Sequence, residues 1–193
     1  MEQTALDVQN GTEKKKTTEI AIFAGGCFWC LEAAFDGVKG VLAVESGYAN
    51  GSTKNPTYEQ VCTGKTGFAE AVHITYDAGV ISYHDLLEMF FAIHDPTSLN
   101  RQGADVGEQY RSAIFALNIS QLEQARQFVA ARMLKGVFHK PVVTVIELLK
   151  NYYPAEDEHQ RYFEKHPGQG YCQVVVGPKV DKFRKTFASK LRG

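Results

Sequence analysis

At 193 residues with 44% hydrophobic content, the chain is long enough to bury one sizeable core, and a single domain is the simplest count. A formal net charge of −1 supplies no bulk field to recruit nucleic acid or an anionic membrane, and no apolar run approaches the roughly 18–20 residues of a membrane span. The start Met1-Glu2-Gln3-Thr4 has no basic segment leading into an apolar one, so no secretory signal is read; the expected compartment is the cytoplasm, where cysteines are more often catalytic than structural.

Residues 1–17 are polar, with a Glu13-Lys14-Lys15-Lys16 run, and are expected to form a flexible leader to the domain at 18–193. Ile20 to Ala24 reads as a buried strand, and Leu31 to Phe35 as helix. Val38 to Val44 reads as a second strand, followed by a turn-rich loop from Gly47 to Pro56. Ala69 to Tyr76 is a further strand, ended by Asp77-Ala78-Gly79. Ser82 to Ile93 has helical period, with Tyr83, Leu86, Leu87 and Phe90 on one face. His94 to Gln109 is a long polar segment with Pro96, Gly103 and Gly107, a loop that is either disordered or functional. Tyr110 to Leu117 reads as a strand. Ser120-Gln121-Leu122-Glu123 matches a capping box opening a helix to about Leu134, and Pro141 to Leu149 is strand-like. Pro154 and the acidic residues after it suit a short helix start. His166 to Gly170 is a breaker, and Lys179 to Leu191 closes the chain as a helix with Val180, Phe183, Phe187 and Leu191 on one stripe. The alternation predicts an α+β fold, a two-layer sandwich.

Chemistry concentrates at Gly25-Gly26-Cys27-Phe28-Trp29-Cys30, which holds two of the four cysteines and the single tryptophan. The glycines permit a tight turn, placing Cys27 where a strand hands over to a helix. Unpaired N–H groups and the helix dipole there bias a thiol toward thiolate. The pair also admits a zinc reading, which lacks the four ligands of a tetrahedral site because Cys62 and Cys172 stand alone, and a core reading, since free cysteine packs as a small hydrophobe. A thioredoxin-like oxidoreductase is a functional rival, although Phe28-Trp29 between the cysteines looks more like a wall of an apolar pocket. Glu70 is a second candidate: a carboxyl in an apolar setting keeps its proton and can serve as an acid near neutral pH. Tyr58 and Tyr110 are phenolic donors among nine tyrosines.

Four stretches together resemble one family: Gly26-Cys27-Phe28-Trp29, Gly64 through Glu70, Asn100 through Gly103 with Asp105 through Ala113, and Tyr153 through Asp157 with His159-Gln160. Their order over residues 18–187 is similar to peptide methionine sulfoxide reductase A. The resemblance implies a two-layer α/β sandwich around a ferredoxin-like core with an extended C-terminal tail. It implies that Cys27 attacks the sulfoxide sulfur, that Glu70 protonates its oxygen, that Tyr58 and Tyr110 bind this oxygen, that Phe28 and Trp29 cage the substrate methyl, and that Asp105 is a further polar residue of the site. It implies no cofactor and no metal. The substrates would be methionine S-sulfoxide in proteins and as the free amino acid, and the reductant thioredoxin, with the chain a monomer. The sulfenic acid left on Cys27 would condense with a second thiol. Cys172, in the 151–193 segment, follows a Gly-rich stretch and would arrive on a mobile tail; Cys30, one helical turn from Cys27, is the alternative. Cys62 is read as a bystander. Phe68 stands where the family usually has His, which predicts a drier setting for Glu70. A thiol–disulfide oxidoreductase and a redox-sensing module remain the rival functions.

Overall fold

The computed structural model describes residues 17–193, so the expected leader lies, apart from Thr17, outside the described residues. The elements run β1 (Thr18–Ala24), α1 (Phe28–Phe35), β2 (Val41–Ala49), α2 (Tyr58–Cys62), β3 (Ala69–Asp77), α3 (Tyr83–Ile93), β4 (Arg101–Gln102), β5 (Asp105–Val106), β6 (Ala113–Ala116), α4 (Ile119–Leu134), β7 (Val145–Leu148), β8 (Tyr152–Pro154), α5 (Tyr162–Lys165) and α6 (Gly177–Thr186). Six strands form one sheet in the order β7-β6-β1-β3-β2-β8, and β4 and β5 pair as a separate small ribbon. Every contact in the large sheet is antiparallel except β6 with β7.

The apolar run of β1 is explained by burial on both faces, where side chains alternate with period two. Ala21 and Phe23 point into the main core with Leu31, Phe35, Leu86, Phe90 and Phe183, contributed by α1, α3 and α6. Ile22 and Ala24 join a second, smaller cluster with Ala49, Ala69, Ala71, Ala113 and Phe115. The predicted combination of helices and a sheet is the one observed, and the sheet is mixed.

Several expectations change. β2 continues through Gly47 to Ala49 rather than ending at Val44, because Gly47 and Ala49 pair with both β3 and β8. A side chain at Gly47 would collide with the Tyr152 ring and the Tyr153 carbonyl, both within 2.6 Å. The long polar segment is neither structureless nor open: it contains the β4–β5 ribbon and a 3-10 turn at Glu108–Tyr110. The capping box at Ser120 does not form. Asn118 caps α4 by accepting from the Gln121 N–H, so the helix starts at Ile119. Pro154 ends strand β8 instead of opening a helix, and the acidic residues after it form a 3-10 turn at Asp157–His159. The C-terminal segment is not an extended tail: Cys172–Val176 form a π-helical turn that runs directly into α6, which packs on α1 and α3.

Candidate active site

Strand β1 ends at Ala24 and α1 begins at Phe28, so Gly25, Gly26 and Cys27 are the whole connection. Gly26 has φ +89°, and a Cβ on it would come within 2.8 Å of the Gln102 side chain. A Cβ on Gly25 would come within 2.9 Å of the Phe90 ring and 3.0 Å of the His94 ring. The glycines therefore allow the segment after α3 to close directly on the turn. Gln102 keeps that segment in place, accepting from the Asp95 N–H at 2.9 Å and donating to the Asp95 carbonyl at 2.6 Å. His94 is wedged between the Phe90 carbonyl and the Ser112 hydroxyl.

Cys27 is the N-cap residue of α1 and makes no side-chain cap bond. The N–H of Phe28, one of the orphan donors of the helix start, is taken by Glu70 Oε2 at 3.1 Å. Glu70 reaches it from the second position of β3, opposite Tyr48 of β2. The cysteine and the carboxyl are thus tied through one backbone amide, an arrangement that required the helix start and the strand to be brought together in space.

The electrostatics are dominated by burial. Glu70 is 1% exposed, and burial lifts its carboxyl far above the ordinary range; the charges of Cys27 and Asp105 push the same way, against the Phe28 N–H. Burial also pushes the Cys27 thiol well up, and Cys30 beside it adds to the rise, while the Trp29 N–H and the Tyr171 hydroxyl oppose it. The expected thiolate bias is therefore overturned here. The helix start does favour an anion, but at 6% exposure desolvation outweighs it. Cys30 moves down, first through its hydrogen bond with Cys27, with Lys179 helping and burial opposing. Glu70 and Cys27 are thus both biased toward their protonated forms, and Cys30 away from its own.

Aromatic rings enclose the cluster. Phe28 is buried against Tyr48, Tyr58 and His159, with centroids at 5.9, 6.4 and 5.7 Å. Trp29 lies half-buried, stacked on Tyr162 at 3.8 Å and 8°, with the Tyr171 ring edge-on at 5.9 Å. The phenols of Tyr58 and Tyr110 are both raised, by burial first and by the charge of Glu70 next, which places them around the same carboxyl. Asp105 accepts the Tyr171 hydroxyl at 2.5 Å. Every residue singled out in the sequence is thus assembled in one region: Cys27, Phe28, Trp29, Cys30, Tyr58, Glu70, Asp105, Tyr110 and Cys172.

Cys27, Cys30 and Cys172 share one buried cluster with Val176 and Val180. Cys172 is fully buried. Cys62 is exposed and lies outside that cluster, its thiol beside Tyr58. No group of three or more His, Cys, Asp or Glu suited to a metal ion occurs among the described residues. Phe68 is buried against Gly51, where a Cβ would fall 2.1 Å from its ring, and lies edge-on to Tyr153.

Sequence reasoning assigned no role to Tyr48, Glu156, His159, Tyr162 or Tyr171. Glu156 accepts from the Tyr48 hydroxyl at 3.0 Å and from the Tyr58 N–H at 3.1 Å, pinning the start of α2 and so the Tyr58 ring. His159 lies 4.2 Å from Tyr58 between ring centroids. Glu156 and His159 fall within the Tyr153–Gln160 motif, the one signal that pointed at them; Tyr171 stood beside Cys172 without a reason to enter the pocket.

The model for the family described as peptide methionine sulfoxide reductase matches residues 19–191. A peptide methionine sulfoxide reductase MsrA from Deinococcus radiodurans is 54% identical over 182 residues, covering 94% of this chain and 88% of that one. The crystal structure of Mxr1 from Saccharomyces cerevisiae in reduced form is 36% identical with a TM-score of 0.73, covering 80% of this chain and 89% of its own. The structure of Mxr1 in complex with Trx2 is 26% identical with a TM-score of 0.53, covering 80% and 91%.

Proposed function

The chain belongs to the peptide methionine sulfoxide reductase family, and from that premise we propose how its buried cluster reduces a methionine sulfoxide. The observation that carries the reading is the shared amide: Glu70, a carboxyl that keeps its proton, accepts from the first N–H of the helix that Cys27 caps. A sulfoxide sulfur is a poor electrophile until its oxygen is protonated, so nucleophile and acid must act on adjacent atoms of one S=O group.

Glu70 donates its proton to the sulfoxide oxygen as the Cys27 sulfur attacks the sulfoxide sulfur, and the proton of the Cys27 thiol passes to the Glu70 carboxylate, which ends the step protonated as it began. The hydroxyl then passes to the Cys27 sulfur, the sulfur–sulfur bond breaks, and methionine leaves with Cys27 as a sulfenic acid. The sulfoxide is reduced by two electrons and Cys27 is oxidised by two. Tyr58 and Tyr110, whose phenols remain protonated, donate to the oxygen during the attack. Phe28 and Trp29 form the apolar wall for the methyl group, and a fixed wall on one side of a chiral sulfur selects one epimer, the S form. Asp105 holds the Tyr171 hydroxyl and adds to the field that keeps Glu70 protonated.

A second thiol then attacks the Cys27 sulfur, expelling water and forming a disulfide. Cys172 is assigned this role, with Cys30 the alternative; packing of all three sulfurs in one cluster supports either. The reductant that returns the disulfide to thiols is a thioredoxin, in keeping with the Mxr1 relative that was crystallised with Trx2. The substrates are methionine sulfoxide in proteins and as the free amino acid. The core is assigned to the ferredoxin-like type, supported by the antiparallel order β6-β1-β3-β2 with α1 and α3 as its two crossovers.

The test is thioredoxin-dependent reduction of a methionine S-sulfoxide peptide by wild type and by Cys27→Ser, Glu70→Ala, Cys30→Ser and Cys172→Ser. Full activity in Cys27→Ser sinks the mechanism. Turnover retained in Cys172→Ser and lost in Cys30→Ser moves the resolving role to Cys30.

A further inference from the structure

Helix α1 carries a second buried carboxyl that the reaction above does not use. Glu32 lies five residues after Cys27 and is 3% exposed. Its Oε2 accepts from the backbone N–H of Arg161 at 2.9 Å. The Arg161 guanidinium is not its partner, since it pairs with Glu164 on the outside. Arg161 itself adopts a left-handed conformation, φ 53° and ψ 38°, which a non-glycine residue occupies at a cost of about 1–3 kcal/mol. The residue after it, Tyr162, stacks on Trp29 at 3.8 Å. The chain of contacts is short: Glu32 holds the Arg161 amide, the left-handed turn aims Tyr162, and Tyr162 backs one face of Trp29.

We propose that Glu32 is a positioning residue for the substrate wall, its carboxylate anchoring the left-handed turn at Arg161 so that Tyr162 holds Trp29 in place. A carboxylate is roughly twice as strong an acceptor as a neutral group, so the anchor tightens when Glu32 ionises. Its Oε1 and the neighbouring Ser46 Oγ are both buried without a hydrogen bond of normal geometry among the described residues. Burial raises the carboxyl from its ordinary 4.5 to about 7, opposed by the Arg161 and Tyr162 amides. The ionisable groups facing it are Asp36 at the C-cap of α1, Tyr152 on β8, and Arg161, Glu164 and Arg184, which with Asp36 and Glu32 itself line a cavity of about 600 Å³. The wall is therefore firmer above pH 7 than below it.

The kinetic half of this inference rests on the sulfoxide-reductase reading; the spectroscopic half does not. Trp29 is the single tryptophan of the chain, so its fluorescence reports the wall with no substrate present. Emission is followed from pH 5.5 to 9 in the full-length reduced protein, for wild type, Glu32→Gln, Glu32→Ala and Glu32→Ala combined with Arg161→Gly. The expected result is a wild-type transition centred near pH 7 that Glu32→Gln abolishes. His159, 5.8 Å from the Trp29 ring, and His166, 4.5 Å from the Tyr162 ring, are untouched in that variant, so a transition that persists in Glu32→Gln belongs to another group and overturns the proposal. In peptide turnover, Glu32→Ala is expected to raise KM roughly tenfold with kcat within about twofold. Glycine at 161, which accepts the left-handed turn without strain, is expected to restore most of the loss. Unchanged KM in Glu32→Ala, or no rescue by Arg161→Gly, overturns the positioning role. If Glu32→Ala does not fold, the isosteric Glu32→Gln still decides the matter through the fluorescence transition. Wild-type protein with no sulfoxide reduction but a Glu32-dependent transition would refute the reaction and leave the brace standing.

Discussion

Glu70, reaching the start of α1 from β3, and Glu32, within α1 itself, are two buried glutamates, and the contrast between them separates chemistry from support. Each accepts a backbone N–H, Glu70 from Phe28 at 3.1 Å and Glu32 from Arg161 at 2.9 Å. Burial raises both. They differ in company. Around Glu70 the next largest influence is the charge of Cys27, with Asp105 adding to it, so its proton is held far up. Around Glu32 the next largest influences are two backbone amides that favour the anion, so it settles near 7. A neighbouring thiol and carboxylate make an acid; neighbouring amides make a pH-responsive anchor. Similar burial yields different functions because the second influence has the opposite sign.

The largest effect that would break this comparison is on turnover. Removing the proton donor while keeping the hydrogen bond, by Glu70→Gln, is expected to lower the single-turnover rate of methionine formation about 10²–10⁴-fold, and binding of the sulfoxide peptide should change little. Glu32→Gln in the same assay should stay within a few-fold. Rapid-quench measurement of released methionine checks both; comparable losses in the two variants would erase the division between acid and brace. The pH dependence follows the same logic. Glu70 must be protonated to act, so the wild-type rate should fall on an alkaline limb as its raised group finally ionises, and that limb should be missing from what activity Glu70→Gln retains.

Glu70 and Glu32 also differ in how far each was legible in the chain. Cys27 announced itself locally: two glycines, a strand before and a helix after fix a backbone position that needs no distant partner. Glu70 needed the resemblance, because a glutamate at a strand edge is ordinary until something buries it. Glu32 gave no signal, since its partner is an amide 129 residues away and amides leave no trace in composition. The same holds for the Pro154–Cys172 region. Pro154 suggested a helix start, but pairing with β2 recruited it as an edge strand, and the Gly-rich stretch before Cys172 suggested a mobile tail where packing against Val176 and Val180 yields a buried helical turn. The thiolate expectation for Cys27 failed for a related reason, as the helix start is a local feature and desolvation is a tertiary one.

Glu32 makes a stability prediction of intermediate size. In the folded state it titrates near 7, against an ordinary 4.5. Between those values the folded protein keeps a proton that the unfolded chain has released, so stability falls as pH rises through the window. The contribution is fully present below about pH 4.5 and lost above about pH 7, amounting to about 3 kcal/mol. Urea denaturation of wild type and Glu32→Gln at pH 5 and pH 8 should therefore show the variant gaining most of that, about 2.5 kcal/mol, relative to wild type at the higher pH. A pH-independent difference would mean that Glu32 titrates as an ordinary surface carboxyl, and its contrast with Glu70 would then be one of burial alone.

The smallest expected effect concerns Tyr171, which touches the territory of Glu70 from the C-terminal side. Its hydroxyl donates to Asp105 and opposes the rise of the Cys27 thiol, while its ring meets Trp29 edge-on. The neighbouring Cys172 is packed into the same cluster, so the phenol's bond to Asp105 is a latch on the segment carrying Cys172, the thiol proposed to resolve the sulfenic acid. If Cys172 resolves the sulfenic acid as proposed, loosening this latch opens Cys27 to the sulfoxide and delays the disulfide-forming step. Tyr171→Phe removes one hydrogen bond and keeps the ring, a change of about 0.5–1.5 kcal/mol. It should lower KM about two- to fivefold and slow disappearance of the Cys27 sulfenic acid by a similar factor, leaving methionine release in a single turnover nearly unchanged. Trapping the sulfenic acid with a dimedone probe over time distinguishes the steps. Slower methionine release with normal sulfenic acid decay would place Tyr171 with Glu70 in the acid chemistry instead of with the latch.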